Sequence, residues 1–271
     1  SHPTTTKADG HLLEYFRQTF GAGGGGTNFV AASDGLTATG GVISDYTDPG
    51  PGKIYRAHVF TSSGTFEVTE LGGFDNTVEY LVVAGGGGGG RGNGGGGGAG
   101  GLRTNLAGHP LAGAAFPVST TGGDGSGRYT VTVGGGGGGA KSSAAGNPGV
   151  DSVFDSITAN GGGGGGYNTG SSHTAPGGGS GGGAGNYPSG TNTGGPGNNP
   201  PTSPSQGNPG GNADKSAPSS AGGGGAGGPG GNTPSGSAGG AGGPGVQVVI
   251  AGPAADTTGV GALNPGPGQG Q

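Results

Sequence analysis

The feature that most constrains this chain is the way β-like segments run directly into glycine. Three short segments rich in apolar and β-branched residues end in six consecutive glycines, at 85–90, 134–139 and 161–166. Further glycine-rich stretches follow at 94–101, 177–185, 222–231 and 239–245. Random low complexity would not place such runs repeatedly behind the same kind of segment. The arrangement therefore predicts a repeated structural device.

Composition limits what this device can be. The chain has 83 glycines and 20 prolines in 271 residues, and only 27% of its residues are hydrophobic. Such a composition is typical of low-complexity disorder, and it supplies too little apolar area for an ordinary core. With 8% charged residues, charge-driven disorder does not fit either. A glycine-rich chain that is ordered must therefore satisfy its backbone polar groups in some regular way.

Charge and residue usage exclude several classes of protein. A net charge of −5 argues against electrostatic binding to nucleic acid or to an anionic membrane. The absence of cysteine excludes disulfides and thiolate metal sites. No apolar run approaches the length of a membrane span, and the first residues do not resemble an export signal. We therefore expect a protein made in a cytoplasm.

Side-by-side packing of left-handed polyglycine-II helices is the ordered state that we expect for the glycine runs. Such a helix has about three residues per turn and no internal hydrogen bonds, so its N–H and C=O groups must find partners on neighbouring helices. Gly87, Gly136 and Gly163 are the predicted scaffold positions, where a branched side chain would have no room. The alternative is a set of flexible linkers. Runs of six glycines exclude the Gly-X-Y register of collagen.

The ends of the chain are expected to differ from its body. Residues 1–52 form a predicted leader with a short helix over 11–20, and its apolar stripe is expected to dock on the body or on a partner: Leu12, Leu13, Phe16 and Phe20. Residues 253–271 form a Gly/Pro-rich tail without an assigned role.

The body is predicted to be mainly β with almost no α-helix. Residues 53–84 start it, with a hairpin of 55–59 and 66–68 around the turn at 62–64, then a central strand over 78–84. Later strands are expected at 129–133, 153–159 and 246–251. Together these predict one small sheet or sandwich from which the polyglycine-II helices of a domain over 85–252 extend.

Polar excursions between the glycine runs are the predicted binding loops. They cover 102–128, 141–151, 167–176 and 186–221. Loops on a rigid scaffold commonly carry binding residues, although each could equally be a turn between glycine helices. The side chains that we single out are His109, Tyr167, His173, Tyr187 and Asn192.

Catalytic and metal motifs are absent from the sequence. Matches to the Gly-X-Gly-X-X-Gly pattern are trivial in polyglycine, and Lys141-Ser142 lacks the preceding glycine of a phosphate-binding loop. The five histidines lack the spacing of metal ligands, and Asp151 and Asp155 lack polar neighbours to tune them. Without a nucleophile, base and orienting group, we expect no enzyme, no cofactor and no metal.

The order of these segments resembles a known family. Residues 59–68, then 78–90, 94–103, 129–139 and 151–166 occur in an order similar to the glycine-rich domain of bacteriophage tail-fibre, tip-adhesin and related virion proteins. The resemblance covers roughly 57–250, and the N-terminal half is most similar to proteins of phages that infect marine cyanobacteria. In such adhesins polyglycine-II helices form a sandwich and the loops between them contact the host surface.

The resemblance implies a non-enzymatic virion fibre or adhesin, located in the virion. The leader would attach to other virion proteins, and the loops would contact a bacterial surface glycan or outer-membrane protein. A homo-oligomer is expected, with a trimer as one form. The alternative is a purely structural capsid, collar or tail-fibre component without a receptor. An ice-binding or matrix protein is disfavoured, because the runs lack a fixed three-residue repeat.

Overall fold

The computed structural model describes residues 35–47, 54–73, 76–168, 173–186, 192–214, 219–234 and 238–250. Within these ranges the chain forms short β-strands and no helix, which confirms the mainly β expectation. Several predictions lie outside the described residues. These are the leader helix over 11–20 with Leu12, Leu13, Phe16 and Phe20, the tail at 253–271, and Tyr187.

The strands are two to seven residues long and fall into several small sheets. In chain order, β1 to β13 are Thr37–Thr39, Val42–Thr47, Ile54–Val59, Gly64–Glu70, Thr77–Val78, Leu81–Val83, Leu102–Thr104, Phe116–Pro117, Arg128–Thr132, Ser152–Phe154, Ile157–Ala159, His173–Thr174 and Asn192–Thr193. The largest sheet has five strands in the order β1-β4-β9-β10-β11, all antiparallel. The pairs β2-β3, β5-β8, β6-β7 and β12-β13 complete the fold, and only β12-β13 is parallel.

The hairpin predicted from 55–59 and 66–68 is wrong in its pairing. β3 pairs with β2, in register from Val42 opposite Val59 to Thr47 opposite Ile54, whereas β4 lies between β1 and β9. Alternation indicates that a segment is a strand but does not select its partner. Because β1 and β2 precede residue 53, a boundary after residue 52 would separate paired strands.

Two other strand predictions also need correction. The segment 78–84 is not a central strand, because it divides between β5 and β6, which pair with β8 and β7 in separate two-stranded sheets. Residues 246–250 form no strand, and residue 251 lies outside the described part of the chain. The segment 153–159 forms β10 and β11, joined at Asp155, whose φ of 52° lies in the left-handed region.

The apolar core lies beneath the five-stranded sheet and consists largely of aromatic rings. The rings belong to Phe66 of β4, Tyr80, Phe116 of β8, Tyr129 of β9 and Phe154 of β10. Their centroids lie 4.8 to 6.4 Å apart in mostly tilted or edge-to-face pairs, a favourable geometry for aromatic contacts. Burial raises the pKa of the Tyr80 hydroxyl. A few large side chains thus stabilise the strands from which the glycine runs begin.

The glycine runs are joined by backbone hydrogen bonds that repeat every three residues. The N–H groups of Ala84, Gly87 and Gly90 donate to the carbonyls of Gly101, Gly98 and Gly95 at 2.9 to 3.1 Å. Between these donors, the N–H groups of Gly85 and Gly88 donate to a different neighbour, the carbonyls of Val150 and Asn147. A β-strand would show a period of two instead. Each run can therefore bond several neighbours, parallel and antiparallel. Together the runs form what we call the glycine bundle (84–101, 134–150, 160–166, 174–186, 192–214, 219–234 and 238–245).

The bundle has two ends. Ala84, Gly101 and Asn160 meet at the core end, beside the strands that precede the runs. Gln206 is fully buried there: its Oε1 accepts a bond from the Asn160 N–H, and its Nε2 donates to the carbonyl of Pro200. The loop end lies opposite, and we define it by the described residues 91–93, 140–145, 167–168, 173, 186, 192, 213–214, 219–220, 232–234 and 238–239.

Crowding differs sharply among the predicted scaffold glycines. A Cβ on Gly87 would lie 2.1 Å from the carbonyl oxygen of Gly163, and one on Gly163 would lie 2.1 Å from that of Pro176. The crowding expected at Gly136 is contradicted. A Cβ there would meet only the carbonyl oxygen of Gly86, at an ordinary contact distance of 3.7 Å, because the 134–139 run lies at the exposed edge of the bundle.

Candidate functional site

Turns from distant parts of the chain meet at the loop end. The carbonyl of Asn93 accepts hydrogen bonds from the Asn186 N–H at 2.9 Å and from the Ser220 hydroxyl at 2.7 Å. On the other side of this turn, the Arg91 guanidinium donates to the carbonyl of Lys141. The side chains of Arg91 and Lys141 are exposed. The loop end is therefore a connected surface, with two cationic side chains along one margin.

Three of the predicted binding residues lie together at this end. The rings of Tyr167 and His173 make an edge-to-face contact with centroids 5.2 Å apart. His173 in β12 is the register partner of Asn192 in β13, and its N–H donates to Asn192 Oδ1 at 3.2 Å. We call Tyr167, His173 and Asn192 the loop-end cluster.

The loop-end cluster has polar atoms with unused hydrogen-bonding capacity. Nε2 of His173 and Nδ2 of Asn192 are buried and have no hydrogen-bond partner among the described residues. Asn192 as a whole is 3% exposed, while Tyr167 and His173 are half-buried. Buried polar groups are usually bonded, so unpaired ones indicate either stored strain or a missing partner.

A row of asparagines, which the sequence analysis missed, extends the loop end. Asn212 Oδ1 accepts the Gly194 N–H at 2.9 Å, and Asn232 Oδ1 accepts the Asn212 N–H at 2.7 Å. Asn192, Asn212 and Asn232 follow one another at intervals of 20 residues. The 20-residue spacing is the sequence signal that could have identified this row. Each interval contains two passes of the chain along the bundle. The amides satisfy backbone groups where the glycine segments end.

His109 lies apart from the loop-end cluster. It follows β7, at the core end, where Nδ1 accepts the Leu111 N–H at 3.1 Å and Nε2 lies 3.0 Å from the carbonyl of Gln247. Since Nδ1 is an acceptor, Nε2 carries the proton and donates it to Gln247. His109 thus joins the 246–250 segment to the turn after β7, and the structure does not bring it to the other candidates.

The remaining acidic candidates have structural partners. Asp151 Oδ1 accepts the Gly161 N–H at 2.7 Å, and Asp151 Oδ2 accepts from Asn160 Nδ2 at 3.1 Å, at the start of the 161–166 run. Asp155 occupies the turn between β10 and β11, and its N–H donates to the carbonyl of Thr130. Within the described ranges, no group of three His, Cys, Asp or Glu side chains could hold a metal ion.

Comparison with known proteins gives one match. The family model described as a glycine-rich domain matches residues 61–271, and the chain therefore belongs to this glycine-rich domain family. No curated protein and no solved structure matches it. A search of the described residues for a helix long and apolar enough to cross a membrane also finds none.

Proposed function

We propose that the protein is a non-enzymatic fibre or adhesin of a bacteriophage virion, in which a glycine scaffold holds loops for attachment to the bacterial surface. The observation that carries this proposal is the loop end, where described residues from distant parts of the chain, such as Asn93, Asn186 and Ser220, are hydrogen-bonded together at one end of the bundle. Such an arrangement separates scaffold from recognition surface, as in other loop-based binding proteins. The order of strands and glycine runs supports the phage assignment by resemblance.

We further propose that the glycine segments are polyglycine-II helices. Their three-residue bonding period supports this conformation, which has three residues per turn. An experimental structure at high resolution tests it through backbone angles near −75° and +145° and a rise of about 3.1 Å per residue.

The ligand fits the chemistry of the loop-end cluster. The half-buried ring of Tyr167 can stack on the apolar face of a sugar. A sugar hydroxyl group that reaches the buried Nε2 of His173 or Nδ2 of Asn192 would find an unpaired group there. A surface glycan is therefore the ligand that we favour, and an exposed loop of an outer-membrane protein is the other. Under this proposal, the part of the leader that precedes β1 attaches the protein to other virion components through Leu12, Leu13, Phe16 and Phe20.

Binding of labelled protein to a panel of intact bacteria tests this function, with purified surface polysaccharide as competitor. We expect saturable, strain-selective binding that falls at least about tenfold in Tyr167→Ala and His173→Ala, the size expected for losing one good contact. His109→Ala is the matched control, because it removes an imidazole from the core end. Melting temperatures of all variants show whether each one folds. Binding that is unchanged in both loop-end variants would contradict the assignment of the site.

A structural virion component without a receptor is the alternative function. The exposed 134–139 run favours it, since glycine offers a backbone for packing against other chains but no side chain for selecting a receptor. A folded protein that binds no strain infected by its parent virus supports this alternative.

A further inference from the structure

An open groove of about 810 Å³ runs along one side of the glycine bundle. It is lined by three segments of chain, 94–102, 220–226 and 239–246, together with Val83. Most of the lining is glycine backbone, and Val83, Leu102 and Val246 add apolar side chains. The groove therefore offers mainly shape and hydrogen-bonding groups, with few side chains.

In each wall of the groove, one row of residues leaves backbone groups without a hydrogen bond to any described residue. In the 94–102 segment, the N–H groups of 95, 98 and 101 bond to the 160–166 segment, and those of 96, 99 and 102 bond to residues 221, 224 and 206. Gly94, Gly97 and Gly100 make no hydrogen bond through N–H or C=O to any described residue.

The other two walls repeat this pattern through their N–H groups, although in the second wall the carbonyls of Ser220, Gly223 and Ala226 accept hydrogen bonds within the bundle. The N–H groups of 220, 223 and 226, and those of 239, 242 and 245, have no acceptor among the described residues. Three rows with the same three-residue period thus face one space. An extended chain with this period, and without side chains, would satisfy these groups in the way that the runs inside the bundle satisfy one another.

The exposed 134–139 run supplies such a chain. Gly136 and Gly139 have neither backbone group bonded to a described residue, so this run also has one unbonded row with a period of three. Among the described residues, no close contact explains why Gly136 and Gly139 are glycine. A Cβ would meet open space at Gly135 and only ordinary contacts at Gly136, Gly138 and Gly139, at 3.6 to 3.7 Å.

Glycine is costly to order, by roughly 0.5–1 kcal/mol relative to alanine in regular structure. Inside the bundle the close approach of another backbone accounts for it, as at Gly87. We infer that the 134–139 run of one copy of this protein occupies the groove of a second copy, in a head-to-tail contact made mainly by glycine backbone.

The bundle itself shows that such a contact is stereochemically allowed. Within one chain, glycine runs bond to antiparallel neighbours, such as 84–90 with 95–101, and to parallel ones, such as 162–165 with 85–88. Because the edge and the groove are different surfaces, the contact is heterologous, and it produces a ring if the rotation closes and a filament if it does not.

Analytical ultracentrifugation of the full chain over a range of concentrations tests this contact. We expect the wild type to associate reversibly, and Gly136→Arg on the edge and Gly242→Arg in the groove each to raise the dissociation constant at least tenfold. Both sites have room for a Cβ, with nothing within 4 Å at Gly242, so neither variant should lower the melting temperature of the monomer. Thr121→Arg, on an exposed turn away from both surfaces, is the control and should associate as the wild type does.

Mixing the two variants gives the sharpest outcome. Gly136→Arg keeps an intact groove and Gly242→Arg keeps an intact edge, so their mixture should form a one-to-one dimer and nothing larger. A wild type that stays monomeric at every concentration would overturn the inference. So would a Gly242→Arg variant that associates normally, or one that lowers the monomer melting temperature, since the groove would then be filled by the chain's own residues.

Discussion

The five-stranded sheet and the glycine bundle reach order by opposite means. The sheet is stabilised by the core beneath it, in which a few large rings bury apolar surface: Phe66, Tyr80, Phe116, Tyr129 and Phe154. The bundle has almost no side chains, and its cohesion comes from backbone hydrogen bonds in several directions. Burial of rings tolerates small shifts, because side chains can repack. Contact between two backbones does not tolerate such shifts, because neither backbone can move without breaking its other hydrogen bonds.

The largest effect that this comparison predicts is at Gly87. A Cβ there would lie 2.1 Å from the carbonyl oxygen of Gly163, so Gly87→Val should lower the free energy of unfolding by more than about 3 kcal/mol. Gly136→Val is the matched control, from the third position of another six-glycine run, and should change it by less than about 0.5 kcal/mol. Chemical denaturation of dilute protein measures both. Equal losses would show that the two runs are packed alike, against the structure.

A smaller effect distinguishes the two ends of the bundle. Gln206→Leu leaves the buried N–H of Asn160 and the carbonyl of Pro200 without their side-chain partner, which should cost about 1–3 kcal/mol. At the loop end, Asn212→Leu removes an exposed acceptor of the Gly194 N–H, and water can replace it. Denaturation should therefore show less than half the loss for Asn212→Leu. A larger loss there would mean that the asparagine row, rather than the buried glutamine, secures the bundle.

The general character of the fold could be predicted from the sequence, but the pairing of its strands could not. Phe66 and Val68 alternate with polar residues and so identify β4 as a strand with one apolar face. The same alternation suits any neighbour, and β4 pairs with β1 and β9 instead of β3. Strand partners depend on how distant segments pack, which a pattern of period two does not specify.

The candidate site was predictable to a similar extent. Tyr167, His173 and Asn192 could be selected as side chains able to make specific contacts, and the structure brings them together. His109 met the same criterion but lies at the core end. Which end a loop occupies depends on the direction of each glycine segment, and glycine carries no side-chain pattern from which direction could be inferred. The exposed position of Gly136 was unpredictable for the same reason.

The smallest predicted effect concerns how the two regions make their turns. The asparagine row at the loop end uses neutral amides such as Asn212, whereas the turn before β9 uses a carboxylate, Asp124, which accepts bonds from the hydroxyl and N–H of Ser126. These bonds hold the pKa of Asp124 below its ordinary value of 3.8. Because the folded pKa is lowered, the contribution of Asp124 to stability is present above that value and is lost as the pH falls through the folded pKa. NMR titration should give a midpoint below 3.8 for Asp124, with local shift changes confined to 119–128 and none at Asn212. A midpoint at or above 3.8 would show that these bonds do not lower the pKa of Asp124. NMR shift changes that begin in the bundle would show that acid affects the bundle before it affects this turn.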